Sequence, residues 1–315
     1  MKRQVFVIVS CPFTPEVVFT PARSRVMVET GSRLIHILPP LPNGLPMERK
    51  ERHDKVRPKK FLGQHFLHDQ KIARRIVEAL QVSPGDHVLE IGPGMGVLTR
   101  ILKENVAIDL QLVEIDRDSV AYLKQNLDIA DKDIIEGDFL ELDLRKFIAP
   151  PVVIIGNFPY NISSQIFFRI LEHRDMVTQV VCMLQKEVAE RIAAPHGSKT
   201  YGILSVLLQA YFTIEMLFRV APGVFTPPPK VVSAVIRLRR NDVDKLPCDE
   251  LLFVQVVKQG FNNRRKTLRN ALKNLNLKSE VAALPIMDKR AEQLDVKSFV
   301  ELTQAIELSR GAKAG

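Results

Sequence analysis

The chain has 315 residues, of which 46% are hydrophobic, so it can bury a sizeable core and is not globally disordered. Its 45 Lys and Arg residues exceed its 36 Asp and Glu residues, which gives a formal net charge of +9 at pH 7. This positive excess favours a polyanionic partner, either nucleic acid or an anionic membrane surface, although a soluble basic protein without such a partner has the same balance.

Residues 1–57 read differently from the rest of the chain and predict an N-terminal extension. Prolines cluster at positions 39–46, and neither a helical nor a strand period persists. We interpret the segment as a flexible extension or as an upstream start assigned by mistake, since Met47 opens the charged stretch before the first motif. Lys2, Arg3 and the apolar residues after them faintly resemble a signal peptide, but that apolar run is short. We therefore favour a cytoplasmic protein over an exported one.

Helices and strands alternate from Phe61 onward. Strands separated by helices indicate a mostly parallel sheet with helices on both faces. The last two strands follow each other without a long helix between them, which is compatible with an antiparallel edge. The predicted strands lie at 87–91, 110–115, 134–135, 152–155, 177–184, 214–220 and 231–239.

A polar break at 239–242 marks the predicted end of the sheet domain. Beyond this break, the segment 251–307 reads as helices. We therefore divide the chain into the extension at 1–57, an α/β domain at 58–240 and a small all-helical C-terminal domain at 241–315.

Cysteine usage and hydropathy exclude several classes of protein. Cys11, Cys182 and Cys248 are far apart and show no Cys-x-x-Cys spacing. That pattern argues against a disulfide framework and against a structural zinc site, and we expect no metal. No apolar run approaches the ~20 residues that a membrane span needs, so we expect no membrane partner.

A glycine-rich turn, Gly92-Pro93-Gly94-Met95-Gly96, follows the strand at 87–91 and opens a helix. A doubly wound sheet binds nucleotide-like ligands at this place. The spacing is Gly-x-Gly-x-Gly rather than the Gly-x-Gly-x-x-Gly of dinucleotide sites, and the absence of a following Gly-Lys-Ser/Thr excludes a P-loop. Many glycine-rich turns bind nothing, so the turn alone is weak support for a cofactor.

Two acids stand at the ends of the next two strands. Glu114 ends the strand at 110–115, and Asp138 follows the strand at 134–135. Glu114 can accept hydrogen bonds from both hydroxyls of a ribose, and Asp138 can accept one from an adenine amino group. Each acid alone is more often a solvated strand end, but together with the glycine turn they favour an adenosine site. Because no phosphate-reading sequence is evident, S-adenosyl-L-methionine fits this site better than NAD.

The strand at 152–155 runs directly into Gly156-Asn157-Phe158-Pro159-Tyr160-Asn161. Adenine N6 is a poor nucleophile because its lone pair is delocalised into the ring. The side-chain oxygen of Asn157 and the carbonyl of Pro159 can accept the two N–H bonds, which frees the lone pair as the amine reacts. Tyr160 can stack on a flipped base. The alternative is an ordinary strand-to-helix turn, since Asn and Pro are common turn residues.

Six stretches of the chain together resemble one enzyme family. They are Phe61–Leu67 (FLGQHFL), Glu90–Gly94 (EIGPG), Gly156–Asn161 (GNFPYN), Met183–Val188 (MLQKEV), Phe225–Val231 (FTPPPKV) and Phe261–Asn270 (FNNRRKTLRN). From about Lys59 to the C-terminal helices, the chain is similar to the bacterial small-subunit ribosomal RNA adenine dimethyltransferases, the KsgA family. The set of six is far more specific than any one of its motifs.

The resemblance implies a Rossmann-like methyltransferase sheet with helices on both faces, plus a small C-terminal helical domain. It implies two methyl transfers from S-adenosyl-L-methionine to each of two adjacent adenosines near the 3′ end of small-subunit rRNA. The expected partner is this rRNA within an immature 30S particle, and the expected enzyme is a monomer with a role in 30S biogenesis.

The resemblance also implies residue roles. Phe225 is expected to face Tyr160 across the target base. Two positions depart from the common pattern, because many members have Asn at His65 and Leu at Phe158, and residues 1–46 match nothing in the family. Matching motif positions place the cofactor against His65, Leu67, Gly92, Glu114, Asp138 and Asn157.

A basic cluster is predicted to lie on a C-terminal helix, where it can neutralise rRNA phosphates. The alternative is a solvated basic helix face. The segment Lys55–Lys60 is a second basic run beside the first motif. The cluster comprises Arg264, Arg265, Lys266 and Arg269, with Lys273 one turn further on.

Three other functions remain open from sequence. The large-subunit rRNA adenine methyltransferases of the macrolide-resistance type share the Asn-x-Pro-Tyr/Phe motif, although Phe225–Val231 and Phe261–Asn270 favour the small-subunit enzymes. A 30S assembly checkpoint factor with secondary methylation is a second alternative. An NAD-dependent oxidoreductase is the third, and the glycine spacing disfavours it.

Overall fold

The computed structural model describes residues 17–19, 26–30, 33–36 and 56–311, with side chains for 56–310. The chain comprises two units, Met1–Arg52 and His53–Gly315. In the first unit, β1 (Val17–Phe19), β2 (Val26–Thr30) and β3 (Arg33–His36) form an antiparallel sheet in that order. These strands were not predicted, because runs this short show no persistent period. That the segment is flexible or a misassigned start stays a prediction.

The second unit is built on a seven-stranded sheet in the order β10-β12-β9-β8-β5-β6-β7. The strands β5 to β9 run parallel, whereas β12 pairs antiparallel with both β9 and β10. The predicted parallel sheet with an antiparallel edge is therefore confirmed. The strands of this unit are β4 (Phe66–Leu67), β5 (His87–Ile91), β6 (Asp109–Glu114), β7 (Ile134–Glu136), β8 (Val152–Asn157), β9 (Val177–Gln185), β10 (Phe212–Val220), β11 (Phe225–Thr226) and β12 (Ser233–Arg240).

Helices cover both faces of this sheet. Alternate side chains of a strand point to opposite faces, and in β8 Ile154 joins one buried cluster while Val153 and Ile155 join another. The cluster around Val153 contains α1 and α2 residues, whereas the cluster around Ile154 contains α4 and α6 residues. The helices within the sheet region are α1 (Gln70–Glu78), α2 (Val97–Leu102), α3 (Arg117–Asn126), α4 (Ser163–Glu172), α5 (Lys186–Ile192) and α6 (Ile203–Gln209).

The chain after β12 is helical, as predicted. Phe253 and Phe299 from these helices are fully buried in the same cluster as Ile154. The C-terminal helices therefore share their core with the sheet region, and a separate domain at 241–315 stays a prediction. The helices are α7 (Glu250–Asn262), α8 (Leu268–Ala271), α9 (Ser279–Ala282) and α10 (Val296–Gly311). Across the described part of the chain, we find no helix with the length and apolar character to cross a bilayer.

The predicted helical placement of the basic cluster is wrong for three of its members. Helix α7 ends at Asn262, and the chain turns through Arg264–Lys266 before α8 begins at Leu268. Thr267 is extended, with φ of −66° and ψ of 158°, and forms an isolated β-bridge with Arg290. Tertiary pairing thus outweighs the helix propensity of the Arg-Arg-Lys run, and only Arg269 lies on an α-helix.

Candidate functional site

A cleft lies at the carboxyl ends of β5, β6, β7 and β8, where open parallel sheets bind ligands. It encloses about 1000 Å³, a volume that includes space open to solvent. The segment from Phe61 to Phe66, which leads into β4, forms one wall of the cleft. Seven of the predicted site residues line the cleft, namely His65, Gly92, Glu114, Asp138, Asn157, Pro159 and Tyr160.

The glycine turn after β5 leaves room for a ligand. Gly92 has a φ of +66°, a left-handed conformation that favours glycine, and a Cβ added there would meet no atom of the described residues within 4 Å. Gly94 has a φ of +56°, and a Cβ there would come within 2.8 Å of the Phe66 ring. The turn is therefore packed on one side by Phe66 and open on the side of the cleft.

Main-chain amides fix the carboxylate of Glu114. Its Oε2 accepts a hydrogen bond from the Gly94 amide at 3.0 Å, and its Oε1 accepts one from the Asp116 amide at 2.9 Å. Burial raises the pKa of Glu114, and these two hydrogen bonds counteract only part of that effect. Each oxygen keeps a further lone pair for a ligand donor. Asp138 has one oxygen engaged, since its Oδ1 accepts from the Leu140 amide at 2.9 Å.

Asn157, the last residue of β8, presents an acceptor without a partner. Its Nδ2 donates to the His65 carbonyl at 2.9 Å. Because a carbonyl can only accept, this bond sets the orientation of the amide. The other amide atom, Oδ1, is buried and has no hydrogen-bond partner among residues 56–310. An unsatisfied buried acceptor costs about 1–3 kcal/mol, so this oxygen is placed to receive a donor from a ligand.

The two residues that follow in the motif provide a second acceptor and an aromatic ring. The Pro159 carbonyl accepts from the Ile162 amide at 3.2 Å and retains one lone pair. The Tyr160 hydroxyl forms a hydrogen bond with Ser233 Oγ. Burial raises the pKa of Tyr160, so the phenol is neutral at physiological pH. The Tyr160 and His65 rings lie 5.3 Å apart between centroids.

His65 links the loop to the segment after β11. Its Nδ1 lies 2.7 Å from the Pro227 carbonyl, which requires the proton on Nδ1 because the carbonyl can only accept. Its own carbonyl receives the Asn157 amide. The two contacts together hold the His65 main chain and ring at the wall of the cleft.

Two predicted site residues do not line the cleft. Leu67 and Phe225 pair across β4 and β11, and only 5% and 2% of their surfaces are exposed. Leu67 instead lines a smaller adjoining cavity together with Glu90 and Asn157. Phe225 packs in the core beside Leu67, so a place opposite Tyr160 stays a prediction for this side chain.

Asp116 was not among the predicted site residues, and it connects the loop before β4 to the start of α3. Its carboxylate accepts hydrogen bonds from Lys59 Nζ and from Gln64 Nε2, the latter at 3.2 Å. Burial alone would raise the pKa of Asp116, but the hydrogen bonds from Lys59, Gln64, the Asp118 amide and Ser119 together hold the pKa below its usual value. The sequence signal that could have identified Asp116 is an Asp at the start of a helix, where Asp is a common N-cap residue. Lys59, in the basic run at 55–60, is therefore an internal ion-pair partner of Asp116 and Asp118.

Glu90 is a second residue whose role the sequence did not reveal. It lies on β5 with only 1% of its surface exposed. Burial raises the pKa of Glu90 to about 8, against the effect of a hydrogen bond from Thr99 Oγ1 at 2.7 Å. The carboxyl is therefore protonated at neutral pH.

The predicted RNA-binding cluster divides into paired and free cations. Arg269 donates to Asp288 at 2.7 Å and to the Ala282 carbonyl, while Arg264 donates to the Lys199 carbonyl. Arg265 and Lys266 are exposed and form no ion pair with any residue in 56–310. The described side chains also contain no group of three or more His, Cys, Asp or Glu arranged to hold a metal.

Similarity to known proteins covers most of the chain. A family model described as ribosomal RNA adenine dimethylase matches residues 55–307. The ribosomal RNA small subunit methyltransferase A of Cytophaga hutchinsonii is 56% identical over 254 residues, which cover 80% of this chain and 98% of that protein. The protein of the same name from Parabacteroides distasonis is 57% identical over 249 residues, covering 79% of this chain and 93% of that protein.

Two solved structures have a similar fold. A dimethyladenosine transferase from Plasmodium falciparum matches with a TM-score of 0.67 and 25% identity, over 78% of this chain and 98% of that one. The 23S rRNA methyltransferase ErmE matches with a TM-score of 0.55 and 25% identity, over 76% of this chain and 99% of that one.

Proposed function

The chain belongs to the ribosomal RNA adenine dimethylase family, and from this premise we propose that its cleft dimethylates the N6 amines of two adjacent adenosines near the 3′ end of small-subunit rRNA. Relatives that are more than half identical carry the small-subunit name, whereas ErmE is 25% identical. The small-subunit assignment is therefore favoured over the macrolide-resistance type.

S-adenosyl-L-methionine is the methyl donor in this proposal, and it supplies an electrophilic methyl group on a sulfonium. The open face of Gly92 and the two acids suit its adenosine. Glu114 would accept hydrogen bonds from the ribose hydroxyls and Asp138 one from the adenine amino group. His65, on the loop, and Asn157, on β8, would complete the pocket. Leu67 would contribute from the smaller adjoining cavity, which it lines together with Asn157.

The partnerless Oδ1 of Asn157 is the observation that carries the catalytic proposal. It would accept one N–H of the target amine, and the free lone pair of the Pro159 carbonyl would accept the other. These acceptors favour a pyramidal nitrogen whose lone pair is available for attack. Tyr160 would stack on the extruded base. Methylation leaves a cationic amine that loses its proton readily to water, so no strong general base is required.

The partner in this proposal is small-subunit rRNA within an immature 30S particle, bound by a monomeric enzyme in the cytoplasm, where ribosomal subunits assemble. Arg265 and Lys266 support phosphate binding because they are exposed and free of ion pairs within the described residues. Arg264 and Arg269 would contribute charge while remaining tied to main-chain carbonyls.

Asn157→Ala tests the proposal. We expect methyl transfer to unmodified 30S particles to fall by about 10²–10³-fold, as when one preorganised group that stabilises developing charge is removed, with 30S binding largely kept. Asn126→Ala, on the exposed end of α3, is the matched control and should keep full turnover. Full turnover by Asn157→Ala would exclude its catalytic role, and modification confined to 50S material would exclude the small-subunit assignment.

A further inference from the structure

Phe61 is an exposed aromatic side chain at the mouth of the cleft. It is 76% exposed, although it lines the same cleft as Asn157 and Tyr160. Single exposed apolar residues are common on protein surfaces, so exposure alone says little. The position is informative because a flipped base has to pass this rim, and the strand on either side of that base has to lie against it.

The main chain beneath Phe61 is held firmly. Residues Lys60–Leu62 form a 3-10 helix that ends at Gly63, in the left-handed conformation with φ of 65°. The Phe61 carbonyl accepts from Asn161 Nδ2 at 3.4 Å, and Lys59 is anchored to Asp116. The main chain of Phe61 is thus held in place while its ring is exposed to solvent.

Two cations precede this ring in the sequence. Arg57 and Lys60 are exposed, and neither forms an ion pair or a side-chain hydrogen bond with any residue in 56–310. Lys59, between them, is different because it is engaged with Asp116 and Asp118. An exposed aromatic ring beside free cations is the combination by which proteins bind single-stranded nucleic acid, with stacking for bases and charge for phosphates.

We propose that Phe61 stacks on the nucleobase next to the adenosine in the cleft, with Arg57 and Lys60 neutralising the flanking phosphates. The inference rests on the proposed function, which requires two adjacent adenosines to be treated in turn. While one adenine occupies the cleft, its neighbour lies outside at the rim. A stacking surface at that point holds the waiting base and keeps the strand in register for the second transfer.

A chemical double-mutant cycle tests the stacking. Small-subunit particles are reconstituted with rRNA that carries either the natural adenosine pair or an abasic residue in place of one adenosine. Base–aromatic stacking is worth about 1–3 kcal/mol per base, so Phe61→Ala should raise KM for intact particles by about 5- to 150-fold. Wild type should lose a similar factor on the abasic substrate, whereas Phe61→Ala should lose almost nothing further. Phe61→Trp should restore wild-type KM.

Independent effects of Phe61→Ala and of the abasic residue would overturn the stacking proposal, as would an unchanged KM. Calorimetry with S-adenosyl-L-methionine gives a second readout. If Phe61→Ala weakens this binding and leaves KM for particles unchanged, the ring belongs to the cofactor pocket instead. Phe147→Ala, 43% exposed and outside the cleft, is the control for removal of an exposed ring. Absence of methyl transfer by wild type would refute the proposed function itself.

The cations are tested separately through salt dependence. Each phosphate of a single strand that a protein cation neutralises adds about 0.7 to the slope of log affinity against log salt. Arg57→Ala with Lys60→Ala should therefore lower the slope for particle binding by about 1.4. Lys132→Ala, just before the amino end of β7 and so away from the cleft, should leave the slope unchanged. An unchanged slope in the double variant would refute the phosphate-binding role of Arg57 and Lys60.

Discussion

Replacing Asp116 by alanine should destabilise the protein and loosen the loop that forms one wall of the cleft. The carboxylate caps α3 by accepting from the Asp118 amide at 3.2 Å, and it accepts from Ser119 Oγ at 3.1 Å and Gln64 Nε2 at 3.2 Å. Loss of an N-cap costs about 1 kcal/mol, and each buried donor left without a partner costs about 1–3 kcal/mol. Since Ser119 is the fully buried donor among these, we expect the free energy of unfolding to fall by about 2–4 kcal/mol.

The same substitution should also slow methyl transfer. Gln64 immediately precedes His65, whose carbonyl orients the amide of Asn157. Losing the anchor at Asp116 therefore frees the main chain that orients the proposed acceptor, Asn157 Oδ1. Asp116→Asn keeps an acceptor oxygen for the α3 cap while removing the charge that pairs with Lys59, so it should fold better than Asp116→Ala and still lose turnover.

Urea denaturation and single-turnover methylation of 30S particles measure the two effects. The pKa of Asp116 is held below its usual value, so its contribution to stability is present above the unfolded pKa of about 3.9 and is lost as pH falls through the folded pKa. The difference between wild type and Asp116→Asn should therefore stay constant near neutral pH and shrink in acid. An Asp116→Ala protein with wild-type unfolding energy and turnover would refute the reasoning.

Three further substitutions test other parts of the structure. Glu90→Gln should raise the free energy of unfolding relative to wild type, because folding holds the pKa of Glu90 at about 8. The difference in unfolding free energy should grow from about pH 4.3, the unfolded pKa, to about pH 8 and then level off. Urea denaturation across this range measures the difference, and a difference that does not change with pH would contradict the prediction. Gly63→Ala should cost about 1–2 kcal/mol and lower the melting temperature, because φ is +65° and the added Cβ would clash with Asn161 Oδ1. Arg265→Ala with Lys266→Ala should weaken 30S binding and its salt dependence without changing the melting temperature, whereas Arg269→Ala should lower the melting temperature, since Arg269 pairs with Asp288.

Local sequence patterns were enough to predict the sheet. The strand predicted at 87–91 matches β5 residue for residue, because an apolar run between turn residues leaves little choice of structure. The acids followed from the same pattern, since Glu114 ends β6 and Asp138 comes just after β7. Parallel strands bring their carboxyl ends to one edge, which gathers these residues in a single cleft.

Contacts between distant segments were not predictable in the same way. Lys59 and Gln64 reach Asp116 across 57 and 52 positions of the chain, and no local period records that approach. The turn at Arg264–Lys266 depends on the bridge between Thr267 and Arg290, which competes with the helix propensity of the basic run. The burial of the Phe225 side chain likewise depends on the pairing of β11 with β4.

Phe253 and Phe299 lie in one buried cluster with Ile154, so the C-terminal helices and the sheet share apolar packing. Stopping the chain after β12 would expose the apolar face of α6, which α7 and α10 contact, and would promote aggregation. Because the helices and the sheet share this interior, substitutions in the shared cluster should be tolerated less well than substitutions on the exposed faces of the same helices.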